Sequence, residues 1–99
     1  MTIQQILAEL PGASKPIARV LHKGEGFKVL AIGFTKGMIL AKHKANLPSK
    51  LTVIKGSVIY KSDEQSHILQ IYDEFEIPVG ELHAVEATVD SICLLIQGK

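Results

Sequence analysis

The chain opens with apolar residues three and four apart. Ile3, Ile6, Leu7 and Leu10 make one stripe at helical spacing, which predicts a short amphipathic helix over the first ten residues. Thr2 is placed to cap it, with Gln5 at the capping-box position, and Pro11-Gly12 ends it. Ala13 to Pro16 then reads as a connector. From Ile17 onward the period changes from helical to alternating. Short runs rich in β-branched and aromatic residues follow one another, each bounded by turn residues: Ile17 to His22, Phe27 to Phe34, Met38 to Lys44, Leu51 to Ile54, Val58 to Lys61, Ile68 to Tyr72, Phe75 to Ile77, Leu82 to Ala87 and Ser91 to Ile96. Strands this short at such regular spacing predict an all-β sandwich or barrel. The expected organisation is a helix and connector over residues 1–16 and one barrel over residues 17–99.

Two of the alternating runs carry a histidine. In GFTKGMILAKHKA, Gly33 to Ala45, a period of two puts His43 on a face with Ile39, Ala41 and Ala45. Met38, Leu40, Lys42 and Lys44 fall on the other face. In IPVGELHAVEA, Ile77 to Ala87, Pro78 and Gly80 mark a tight turn. His83 then shares a face with Val85 and Ala87, opposite Leu82, Ala84 and Glu86. Two inward histidines on separate strands of a small barrel are expected to face each other across its interior and to share one pocket. His22 and His67 also alternate with apolar residues and read as structural histidines.

These stretches resemble the cupins. Gly37, five residues and His43, followed by Gly56 in the turn Val53-Ile54-Lys55-Gly56-Ser57-Val58, are similar to the first cupin motif. Pro78-x-Gly80-x-x-His83 is similar to the second. The resemblance covers roughly Phe27 to Ile96 and implies a double-stranded β-helix, or jelly-roll barrel, with both histidines inside. Metal-binding cupins typically use three histidines and one glutamate. Matched to that pattern, His43 and His83 occupy two of the ligand positions, while Ala45 and Ser49 stand at the other two. Ala87 stands where an asparagine often follows. Alanine has no donor atom and a neutral hydroxyl is a poor one, so His43 and His83 are expected to hold a divalent metal weakly or not at all. Glu76 and Glu81 are the carboxylates placed to reach in from the turn.

Composition narrows the functions. With 11 Lys+Arg against 10 Asp+Glu the net charge is +1, which gives no basic face for nucleic acid. No run reaches the ~18 consecutive apolar residues of a membrane span, and no signal peptide is expected, which suits a protein of the cytoplasm. The single cysteine, Cys93, lies in an apolar run and reads as a buried, inert thiol. A hydrophobic share of 46% and a mean hydropathy of +0.22 are high for so small a chain. The excess, with Ile17, Val20 and Leu21, predicts a homodimer. No Ser-His-Asp, Cys-His or paired-carboxylate set can be assembled. The leading expectation is a barrel that binds a small polar or anionic molecule with His43 and His83. The alternatives are a metal-dependent enzyme of isomerase or dioxygenase type with a reduced ligand set, and a non-catalytic structural or regulatory dimer.

Overall fold

The computed structural model describes residues 1–98. Helix α1 spans Thr2–Glu9 and runs into a 3-10 turn over Leu10–Gly12. Nine strands follow: β1 Ile17–Gly24, β2 Phe27–Phe34, β3 Ile39–His43, β4 Ser49–Lys55, β5 Ser57–Ser62, β6 Ser66–Gln70, β7 Glu74–Ile77, β8 His83–Ala87 and β9 Ser91–Gly98. They form two antiparallel sheets, ordered β1-β2-β9-β4-β7 and β3-β8-β5-β6. The fold is therefore the all-β jelly roll expected, with one short helix outside it.

The core lies between the sheets. Ile32 and Phe34 of β2, Leu51 and Val53 of β4, Val58 and Tyr60 of β5, Val85 and Ala87 of β8, and Cys93 and Leu95 of β9 pack into one cluster. Cys93 is buried there as expected, and burial pushes its thiol up to about 12. A second cluster joins the helix to the outer face of the larger sheet through Ile6, Leu10, Ala31 and Ile92. Gly33 makes that contact possible, because a β-carbon there would collide with Ile6. Gly56 has φ +82 and lies against Asp90 and Ser91, so the β4–β5 turn admits only glycine.

The helix differs from expectation in two details. Met1 is the N-cap and Thr2 makes no capping hydrogen bond. Of the expected stripe, Ile6 and Leu10 are buried but Leu7 is exposed. The helix is barely two turns long, so it covers the sheet with fewer side chains than its periodicity offers.

Candidate functional site

His43 and His83 come together, although not as the alternation of β3 implied. Ile39 is the register partner of Glu86, and Leu40 of Val85. The next pair is His43 with His83, so β3 spends three residues where β8 spends two. One extra residue is a β-bulge, and it reverses the inside-outside phase of everything after it. Ile39 thus faces out, 54% exposed, while Leu40 packs on the core and His43 turns inward with it. His43 does not share the face of Ile39. Strand β8 has no such break, and His83, Val85 and Ala87 are all buried as expected.

The two histidines do not look at each other across the barrel. They are neighbours on one sheet, with ring centroids 4.3 Å apart and planes at 57°. Each is tied in the same way. His43 Nδ1 lies 2.9 Å from the carbonyl oxygen of Ala41, and His83 Nδ1 lies 3.0 Å from that of Glu81. A carbonyl only accepts, so each Nδ1 carries a proton and donates, which in a neutral ring makes Nε2 the acceptor.

Their surroundings differ. His83 is 2% exposed and stacks on Tyr60, with ring centroids 5.1 Å apart. Burial lowers its pKa below the ordinary value; the Glu81 carbonyl opposes that shift and the neighbouring His43 adds to it. His43 is only half-buried. It lines a cleft of about 390 Å³ at the seam where the terminal strands β1 and β3 of the two sheets meet. Ala18 of β1, Leu30 and Ile32 of β2, Leu40 and Ala41 of β3 and Leu95 of β9 supply the apolar walls, with Gln97 beside them.

A polar network that the alternation did not reveal backs His83. Tyr60 Oη donates to Glu81 Oε1 at 2.6 Å, and Gln65 Nε2 donates to the same oxygen at 3.2 Å. His67 Nε2 donates to Gln65 Oε1 at 2.7 Å, so His67 is a satisfied structural histidine as expected. The phenol's hydrogen bond holds the Glu81 carboxyl below its ordinary value. Burial, followed by that same contact, raises Tyr60. Glu81 therefore approaches the site as a clamped carboxylate. Glu76 stays at the surface, 3.5 Å from Lys50 Nζ, and His22 is exposed on the edge strand beside Phe27. The network draws on a turn residue, a loop residue and three strands. Only the position of Glu81, two residues before His83, was a signal in the sequence.

The residues present do not fit a tightly held metal. Ala45 is buried and has no donor atom. The Ser49 hydroxyl donates to the Leu47 carbonyl at 2.9 Å and accepts from Gln97 Nε2 at 3.2 Å, so it is already engaged. Among the described residues, no three of the His, Cys, Asp and Glu side chains gather in a group that could hold an ion. Two imidazoles fall short of the three or four protein ligands of a stable site.

No family model matches the chain, and no curated protein does. Solved structures do. A cupin superfamily protein from Desulfitobacterium hafniense superposes with a TM-score of 0.79 at 15% identity, over 86% of this chain and 78% of that one. A cupin-2 domain containing protein from Shewanella frigidimarina covers all of this chain and 94% of its own, with a TM-score of 0.77 and 14% identity. A cupin 2 conserved barrel domain protein from Leptotrichia buccalis is 29% identical over 87% of this chain, with a TM-score of 0.78, and this chain spans 42% of its length. The two antiparallel sheets and the one short helix outside them are those of a small cupin-fold protein.

Proposed function

We propose that this protein binds a small molecule in the cleft beside the His43–His83 pair and does so without a resident metal. The observation that carries the reading is the pairing itself. His43 lines an open, apolar cleft and touches the buried His83 behind it, and both rings have Nδ1 committed to the backbone and Nε2 without a protein partner among the described residues. A pocket that is mainly apolar with a few fixed polar groups is the ordinary form of a small-molecule site. Among the described residues no acid and base pair is placed at the cleft, so the reading is binding and assigns no reaction.

The test is a titration of isotope-labelled protein with a set of single-ring fragments, read at the histidine ring resonances. Fragments that bind are expected to shift His43 most and His83 with it. Binding that leaves both rings unmoved would defeat the reading.

A structural or regulatory dimer is the second reading. It is favoured by the filled interior, where Phe34, Tyr60 and their neighbours close the space between the sheets. Under it no fragment binds and the protein is a dimer.

A further inference from the structure

The sequence leaves two ligand classes open for the histidine pair, polar or anionic. We infer that the cleft takes an uncharged molecule with an apolar body and a single hydrogen-bond donor, such as a hydroxyl, and that it rejects carboxylates. This rests on the binding reading above and specifies its ligand.

The argument is a count of donors and acceptors. His43 gives its one N–H to the Ala41 carbonyl, and His83 gives its own to the Glu81 carbonyl. What each neutral ring has left is an acceptor. His83 lies behind His43 and outside the lining, so the acceptor beside the cleft is Nε2 of His43. Gln97, the other polar residue of the lining, has one amide N–H on Ser49. A carboxylate is also acceptor-only, so it would set lone pair against lone pair. A hydroxyl brings the donor that an imidazole Nε2 lacks.

The lining supports the same choice. No Lys, Arg, Asp or Glu lines the cleft among the described residues. Lys42 and Lys44, the cations nearest in sequence, are both exposed. A carboxylate entering there would shed water and meet no counter-charge, which is costly. The aliphatic walls from β1, β2, β3 and β9 favour an apolar body instead.

The test uses four probes of matched size: 4-methylphenol, 4-methylanisole, toluene and 4-methylbenzoate. Each is titrated into the full chain at neutral pH, and the dissociation constant is read from the His43 and His83 ring resonances. The phenol is expected to bind about tenfold tighter than the other three, the value of one net hydrogen bond. His43→Phe, which keeps a ring at the rim and removes the acceptor, is expected to abolish that preference. Equal binding of the phenol and the anisole would overturn the donor requirement. Tighter binding of the benzoate would overturn the exclusion of anions and leave the cleft as the binding site. If no probe moved either ring, the cleft reading itself would fall.

Discussion

His43 and His83 are register partners in the β3–β8 ladder, and they are partners only because β3 carries a bulge between Leu40 and His43. Without the extra residue, His43 would point outward with Ile39, and the imidazole pair would not exist. The bulge is thus what brings His43 beside His83. Bulges commonly re-aim a side chain beside a site.

The two rings should respond differently to truncation. His83 is buried against Tyr60 and His43, whereas His43 is half-buried at the cleft. His83→Ala is expected to cost about 1–3 kcal/mol of stability and His43→Ala less than about 1 kcal/mol. Urea unfolding of both variants decides this. A larger loss from the His43 variant would contradict the burial order.

The hydrogen bond from Tyr60 to Glu81 should show in the acid limb of stability. Glu81 is held below its ordinary value of 4.5, so the folded state favours the carboxylate. That contribution is present above pH 4.5 and is lost as pH falls through the lower folded value. His83 is likewise lowered, from 6.5, so stability should already begin to fall below about pH 6.5, where the unfolded chain takes up a proton that the folded chain resists. Tyr60→Phe keeps the ring against His83 and removes the donor. It is expected to cost about 1–2 kcal/mol at neutral pH and to flatten the limb below pH 4.5, leaving the shallower one above it. An acid profile parallel to the parent's would show that the phenol does not set the Glu81 carboxyl.

The barrel was legible from the chain because short β-rich runs recur between turn residues and several of them, β4, β5 and β6 among them, alternate. Strand β8 is the clearest case, since His83, Val85 and Ala87 fall inward as the pattern says. The phase of β3 was not legible. A bulge adds a residue without any residue type that announces it, and Ala41 and Lys42 fit either phase. Tyr60 and Gln65 were missed for another reason. Each meets Glu81 only after β5, the β5–β6 loop and the turn before β8 have been folded together. Such convergence depends on register, which the alternation of one strand does not carry.

Metal binding should be weak. Two imidazoles without the ligands that Ala45 and Ser49 replace are expected to release zinc, nickel or manganese on desalting. Elemental analysis of the purified, desalted protein should therefore find far less than one metal per chain. A stoichiometric metal that survives desalting and is lost in His43→Ala would refute this.

Self-association is the remaining expectation, and the structure indicates where to look for it. Strand β1 closes one end of the five-stranded sheet, so one of its edges is unpaired among the described residues. Beside that edge stand Val20, 45% exposed, and Phe27, 43% exposed, with Leu21 between them along the strand and hairpin. An unpaired edge with apolar side chains is a template for another strand. A second copy of β1 approaching antiparallel about a two-fold axis would extend the sheet and cover those residues on both chains. Sedimentation at tens of micromolar is therefore expected to give about twice 10.8 kDa. Val20→Lys places a charge at the edge without disturbing the core and should return the mass to 10.8 kDa while the strand signal in circular dichroism is kept. A parent protein that sediments at 10.8 kDa would remove the homodimer, and a dimer indifferent to Val20→Lys would move the interface away from β1.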